Sequence, residues 1–456
     1  MAEAKNCSSL AGKTVAVVSL GCAKNRIDSE EILGRLTGSG LIFTDNLDGA
    51  AVIIVNTCAF TDEAKEESIA VMRRLVRRRR GRYPIIVAAG CLAQRWASHL
   101  ARKMPELDAV VGVNSYEDIL SLLERCGEEG AGQRVLVQPP PAGYRSLGPR
   151  LLTTPPYSAY LKIAEGCSNR CHYCVIPSIR GPYRSRPPED ILQEAEQLIR
   201  LGARELNLVA QDITLYGRDL PVKTGLVELV RKLVRLPGLT WLRLLYAYPT
   251  RVEDDLLRLL AEEEKLCPYL DIPLQHVEDQ VLAAMGRPYG REDVLDLLSR
   301  IERISPGVVL RTTLMVGHPG ETREMFARLM DFIRRHPFDH LGVFSFSPQE
   351  GTVAAGLQPA VPRRVRERRR RELMQLQQRI ALGLKRRYLG RELAVLVEGR
   401  NRRGYYYGRT AFQAPEVDGK VFWRSRREIP PGELVAVKIT GITPYDLVGI
   451  FRGRFS

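Results

Sequence analysis

The strongest constraint on this chain is a repeated alternation of short apolar runs, rich in β-branched residues, with polar, helix-compatible stretches. In the first part of the chain the runs are Thr14 to Leu20, Ala51 to Val55, Ile85 to Ala89 and Ala109 to Val113. Parallel strands need a long crossover connection, and a helix supplies it, so this rhythm predicts βαβ units on a parallel sheet. Three of the runs lead straight into cysteine, as Ser19-Leu20-Gly21-Cys22, Val55-Asn56-Thr57-Cys58 and Ala88-Ala89-Gly90-Cys91. Parallel strands end at one edge and ligands bind beyond it, so the topology brings these distant thiols together. Helices starting after Cys22 and Cys58 would favour the thiolate forms that ligate metals. A lone cysteine of this kind is commonly a small core residue, but three in phase beside Gly or Thr point to a shared cofactor. Zinc and iron–sulfur both fit the spacing.

At 456 residues the chain has room for roughly three folded units. Its composition, 45% apolar and 27% charged, is that of a folded globular protein and excludes disorder. With 68 Lys and Arg against 53 Asp and Glu the net charge is +15, which favours a polyanionic partner such as RNA or a ribosome. No apolar run reaches the ~18 residues of a membrane span, and Met1 to Ser9 lacks a basic segment followed by an apolar one, so a cytoplasmic protein without membrane contact is expected. Nine cysteines in such a chain suggest metal binding or catalysis rather than disulfides. The proline-rich stretch from Gln133 to Tyr157 reads as a linker. Arg73 to Arg82, with seven arginines, reads as a solvated helix face that also suits RNA. Cys7, Cys126 and Cys267 stand outside any constellation and receive no role.

A second constellation follows the run Tyr160 to Ala164, as Glu165-Gly166-Cys167-Ser168-Asn169-Arg170-Cys171-His172-Tyr173-Cys174. Three thiolates at this spacing can grip three irons of a cluster and leave the fourth open. His172 is a possible stray ligand but more simply a loop residue. Further strands are predicted near Glu205 to Ala210, Leu242 to Ala247, Leu270 to Leu274, Val308 to Met315 and Leu341 to Phe346. Their ends carry Gln211 and Asp212, Tyr248, Gln275 and His276, and Gly317 to Glu321; Arg311 lies inside the fifth strand.

The C-x3-C-x2-C pattern with Tyr173 before its last cysteine resembles the radical S-adenosylmethionine enzymes. The resemblance implies an open (β/α)6 barrel and a [4Fe–4S] cluster on Cys167, Cys171 and Cys174. It further implies S-adenosylmethionine on the free iron, yielding a 5′-deoxyadenosyl radical on reduction. Tyr173, Gln211, Asp212 and Arg311 are then the candidate S-adenosylmethionine contacts. Val316-Gly317-His318-Pro319-Gly320-Glu321-Thr322 is similar to a Gly-Phe-Pro-Gly-Glu-Thr turn of this group, with His318 replacing Phe, and Asp271 matches the fourth-strand motif.

Arg363 to Arg387 places Leu373, Leu376, Ile380 and Leu384 at helical spacing and reads as a connecting helix. After Gly390 come short alternating runs, Leu393 to Val397, Val421 to Trp423, Leu434 to Ile439 and Leu447 to Phe451, which predict a small β-barrel. The order of parts resembles the methylthiotransferases. The expected architecture is therefore α/β: a cluster-binding parallel-sheet domain over 12–130, a linker over 131–152, a radical core with connecting helix over 153–388, and a TRAM β-barrel over 389–456. The resemblance implies a second [4Fe–4S] cluster on Cys22, Cys58 and Cys91.

Within that family, 174–181, 184–192, 208–212 and 413–419 resemble the branch that thiomethylates an aspartate of ribosomal protein uS12, rather than the branch acting on tRNA adenosines. The implied partners are uS12, free or on the small subunit, ribosomal RNA and an electron donor protein. Residues 391 to 456 hold 12 Lys or Arg against 7 Asp or Glu, an awkward balance for a basic substrate, so either a local acidic patch at Glu416 and Asp418 or ribosomal RNA is expected to supply the attraction. A zinc-bearing RNA-binding or ribosome-assembly protein is the alternative without catalysis.

Overall fold

The computed structural model describes residues 10–455 apart from 80, 82, 128–131, 147 and 223, so Cys7, Arg80 and Arg82 lie outside the described residues. The chain divides into two compact units. The first comprises Met1–Thr154, Ala164–Asn169 and Cys174–Arg186; the second comprises Pro155–Ile163, Arg170–Tyr173 and Pro187–Ser456.

The first unit is built on strands β1 (Thr14–Ser19), β2 (Ile42–Phe43), β3 (Val52–Thr57), β4 (Ile85–Gly90), β5 (Ala109–Val111) and β6 (Arg134–Leu136). They form one parallel sheet in the order β2-β1-β3-β4-β5-β6. Every residue of β3 and β4 is buried, as expected for central parallel strands covered on both faces. Alternation sends Val52 and Ile54 into a core with Ile32, Leu33 and Leu36, and Ile53 and Val55 into a core with Met72, Ile86 and Leu92.

Two short strands were not legible beforehand. β2 has only two residues, and β6 falls inside the stretch expected to be linker, where it pairs with β5 through Ala109↔Arg134 to Val111↔Leu136. The proline-rich stretch is also tied down farther along. Gly34 leaves room for the Pro149 carbonyl, which lies 2.1 Å from where a Cβ would stand; Leu151 N donates to Glu30 O and Thr153 N to Glu30 Oε1, at 3.0 and 2.9 Å.

Next in the chain come β7 (Ser158–Lys162), of the second unit, and the antiparallel pair β8 (Ala164–Glu165) and β9 (Arg184–Ser185), of the first. The second unit continues with β10 (Glu205–Val209), β11 (Trp241–Leu244), β12 (Leu266–Asp271), β13 (Val309–Val316) and β14 (His340–Ser345). With β7 these form a parallel six-stranded sheet in which each strand neighbours the next in sequence, the open (β/α)6 arrangement expected. β12 starts earlier than predicted, at Leu266, because a strand can run through Pro268 where its pairing with β11 is irregular.

A helix over Arg363–Lys385 buries Leu373 and Leu376 and leads to the barrel strands β15 (Glu392–Arg400), β16 (Tyr406–Arg409), β17 (Val421–Arg424), β18 (Leu434–Ile442) and β19 (Leu447–Arg454). These close in the order β15-β16-β17-β19-β18 around Val395, Trp423, Val435 and Val437. β16 is the strand that pattern reading lacked. Among the described residues no helix is long and apolar enough to cross a membrane.

Within the second unit, the small barrel is locked to the sheet by buried charge. Glu205, the first residue of β10, accepts from Arg243 at 2.9 Å and from Arg409 at 2.6 Å, and all three side chains are at most 1% exposed. Close by, Asp418 accepts from Arg311 at 2.6 Å and from the Tyr269 hydroxyl at 2.7 Å, and its side chain is 1% exposed. This corrects the expectation of an acidic patch at Glu416 and Asp418: Asp418 is turned inward to seat its loop, and only Glu416 faces solvent.

Burial alone would raise the Glu205 carboxyl, but Arg409 and Arg243 outweigh it and hold it below the ordinary carboxylate range. A depressed carboxylate contributes stability above its unfolded value of about 4.3, and that contribution fades as pH falls toward the folded value. Glu205→Gln should therefore cost roughly 3–5 kcal/mol at neutral pH by leaving two buried guanidinium groups without their anion. Denaturant titration followed by Trp241 and Trp423 fluorescence should show a gap between variant and parent that narrows on going from pH 7 to pH 3. An equal gap at both pH values contradicts this.

Candidate metal centre

The three strand-end thiols of the first unit lie at one edge of the sheet, after the adjacent strands β1, β3 and β4. Cys22 caps the helix Ala23–Gly38, Cys58 follows β3, and Cys91 opens the helix Cys91–Lys103. Close approach depends on the glycines before them. A Cβ on Gly21 would stand 2.8 Å from Cys58 Cβ, and one on Gly90 would stand 2.3 Å from Asn56 Oδ1. Both glycines have positive φ, at 93° and 96°, so a side chain there would also be strained.

Asn25 organises the polar floor of this edge. Its Nδ2 donates to Leu20 O and Thr57 O, at 2.9 and 3.0 Å, which ties the ends of β1 and β3 together. Its Oδ1 faces Cys91 Sγ at 3.5 Å and accepts from Arg180 Nη2 at 2.8 Å. Asn56 Nδ2 donates to Asn25 O and Ser29 Oγ, and Cys58 N donates to Ser68 Oγ at 3.1 Å. Arg180, 3% exposed, also binds Asp28 at 2.6 Å and Glu165 at 3.0 Å.

Sequence reasoning missed Asn25, Asp28 and Arg180. The signal available was the spacing of Asn25, Asp28 and Ser29, which puts polar groups on the buried face of a helix that follows a thiol.

The thiols differ in environment. Cys22 is exposed, Cys58 half-buried and Cys91 buried. Burial pushes the Cys91 thiol up to about 12 although Arg180 draws it down, and burial likewise raises Cys58 against the Phe60 amide. Among the described residues no three His, Cys, Asp or Glu side chains converge on one point as ligands of a single ion do. Thiolates on a cube-shaped cluster each bind a different iron and sit farther apart.

In the second triplet, Cys167 and Cys174 belong to the first unit and Cys171 to the second. Gly166 lies so close to Pro182 that a Cβ would be 2.1 Å from its carbonyl oxygen, and Cys167 N donates to Gly181 O at 3.0 Å. The Ile176 amide points at Cys174 Sγ from 3.5 Å. His172 is occupied as a loop residue, with Nδ1 3.0 Å from Ala284 O and its backbone bonded to Met285 and Ala354. The Tyr173 hydroxyl accepts from Arg287 at 2.7 Å, and that buried guanidinium also lies over Tyr248 and Tyr289.

The sheet of the second unit carries its polar residues at the carboxyl edge as expected. Gln211 is half-buried after β10, and Asp212 caps the next turn through Thr214 and pairs with Arg251. Gln275 bridges to Leu314, and His276 is fully buried, where burial pushes its pKa down to about 3. His318 fills the place of the aromatic residue, edge-on to Phe346 at 5.1 Å, and the Gly317 amide bonds to Glu321. Arg311 departs from expectation. It is the third residue of β13, away from the carboxyl edge, and is drawn into the ion pair with Asp418.

Three family models match successive parts of the chain. Residues 14–112 match the Uncharacterized protein family UPF0004, 161–333 the Radical SAM superfamily and 389–451 the TRAM domain. The ribosomal protein uS12 methylthiotransferase RimO of Pelotomaculum thermopropionicum is 46% identical over 441 residues, covering 96% of this chain and 99% of its own. Those of Acetivibrio thermocellus and Trichlorobacter lovleyi are 44% and 45% identical, covering 96% and 97% of this chain and 98% of their own. The chain belongs to the RimO family. Among solved structures, the radical S-adenosylmethionine methyltransferase TsrM of Kitasatospora setae is similar in fold, with TM-score 0.52 and 17% identity over 75% of this chain and 77% of its own.

The environments of the first triplet predict a labelling order. In metal-free, reduced chain at pH 8, exposed Cys22 should be alkylated by iodoacetamide at least ~10-fold faster than Cys91, since burial both shields the Cys91 sulfur and disfavours its thiolate. Mass spectrometry of timed digests reads this directly; equal rates would mean that Cys91 is not buried as described.

Proposed function

We propose that this chain inserts a methylthio group at the β-carbon of an aspartate of ribosomal protein uS12, using one [4Fe–4S] cluster on Cys22, Cys58 and Cys91 and another on Cys167, Cys171 and Cys174. The observation that carries this reading is similarity to RimO proteins running through all three parts of the chain, at 44–46% identity over about 96% of its length. The donor chemistry supports it. Two sets of three thiols provide soft ligands that suit iron–sulfur clusters, and each set leaves one cluster corner without a protein ligand.

When bound, S-adenosylmethionine and the reduced cluster supply hydrogen-atom abstraction from an unactivated carbon, which side chains cannot perform. The protein's part is to orient and to exclude water. Tyr173 and Gln211 are the proposed walls of the S-adenosylmethionine site. Asp212, engaged by Thr214 and Arg251, holds the loop after β10 in place. Burial of His276 and His318 keeps this edge free of imidazolium charge.

The small barrel is proposed to approach ribosomal RNA. It carries 12 Lys or Arg against 7 Asp or Glu, and pairs Arg424 with the Tyr405 ring at 4.4 Å and Lys420 with the Tyr407 ring at 4.3 Å. Attraction to RNA then takes the place of the acidic patch, with uS12 met on the small subunit in the cytoplasm and electrons delivered by a separate donor protein.

Anaerobic enzyme with reductant, sulfide, S-adenosylmethionine and uS12 should add one methylthio group to an aspartate of uS12. A methylthio group on tRNA adenosine instead contradicts the substrate. Replacing Cys22, Cys58 and Cys91 together by Ala should leave S-adenosylmethionine cleavage and abolish methylthio transfer. Loss of cleavage in that variant would show that the two centres do not act separately.

A further inference from the structure

We propose that Arg180 is a positioning residue for the cluster held by Cys22, Cys58 and Cys91, raising that cluster's reduction potential through its N–H contact with the Cys91 sulfur. The inference rests on the ligand assignment above and goes beyond it. Arg180 is the last residue of the short helix Ile176–Arg180, six positions after Cys174. Nη1 donates to both carboxylate oxygens of Glu165, each at 3.0 Å. Nη2 gives its two N–H bonds to Asp28 Oδ2 at 2.6 Å and Asn25 Oδ1 at 2.8 Å and lies 3.5 Å from Cys91 Sγ, which shares one of them.

The arrangement exceeds what anchoring needs. Two carboxylates offset the cost of burying the cation and fix its plane, and in that plane Nη2 also reaches the Cys91 sulfur through a shared N–H. Ligation removes the Cys91 proton. Cys91 Sγ then no longer donates to Asn25 Oδ1 and only accepts, and the Arg180 N–H is the donor already in place. Hydrogen bonds to cluster sulfurs and the net charge around them set iron–sulfur potentials, so this donor favours the reduced, more negative state of the cluster. The strand-end centre is thereby tuned by the stretch of chain that continues from the second cysteine triplet.

The test uses the full chain with Cys167, Cys171 and Cys174 replaced by Ala, so that a single cluster reports, followed by potentiometric titration monitored by electron paramagnetic resonance. Arg180→Lys keeps a charge but cannot reach all four partners, and should give a more negative midpoint and iron loss to a chelator about 10-fold faster. Asp28→Asn removes an opposing negative charge and should move the midpoint the other way. If the parent holds no cluster, the ligand assignment fails. If the parent holds a cluster and neither variant moves its midpoint, or both move it in one direction, the role of Arg180 is overturned. Should Arg180→Lys not retain iron, an unmoved or more negative midpoint in Asp28→Asn overturns it equally.

Discussion

Neighbouring parallel strands must end at the same edge, and in the first unit this requirement creates the site. β1, β3 and β4 are adjacent, so Cys22, Cys58 and Cys91 come together although long helices separate them in sequence. The edge would not close without Gly21 and Gly90, where any side chain would strike Cys58 or Asn56. Nor would it hold its shape without Asn25, whose amide spans the ends of two strands. Backbone sterics, a buried amide and a buried guanidinium thus cooperate to keep three thiols at a polar edge.

The second unit solves a different problem. Its open sheet has a carboxyl edge to be left for chemistry and an inner region toward the strand starts that must be filled. Glu205 and His340 are the first residues of β10 and β14, and with Arg243, Tyr269 and Arg311 they receive Arg409 and Asp418 from the small barrel. Charges in such a place are costly to bury and costlier to unpair, which gives the docking a definite register. The stretch 413–419 lies at this junction: Gln413 holds Thr410, and Asp418 holds Ala414 while pairing with Arg311.

Much of this was legible in sequence, for physical reasons. Central parallel strands are apolar on both faces, so Val52 to Val55 and Ile85 to Ala89 announce themselves, and thiols at strand ends or at C-x3-C-x2-C spacing restrict the ligand class. What escaped depends on tertiary context. β2 and β6 have two and three residues, too few for a period to show. Arg311 and Asp418 look like ordinary polar residues until their partners, far apart in sequence, are known. Asn25 and Asp28 show only as polar residues at helical spacing, and nothing in the sequence ties them to Arg180: a buried polar network is specified by mutual satisfaction in three dimensions.

The account depends on two separate inorganic centres in one chain. Mössbauer spectroscopy of anaerobically prepared, 57Fe-loaded protein measures this most directly, comparing the parent with chains lacking one or the other cysteine triplet. The account predicts two [4Fe–4S] clusters in the parent and one in each variant, with different parameters for the two that remain. A parent with a single cluster, or a variant that loses both when only Cys22, Cys58 and Cys91 are replaced, would contradict it.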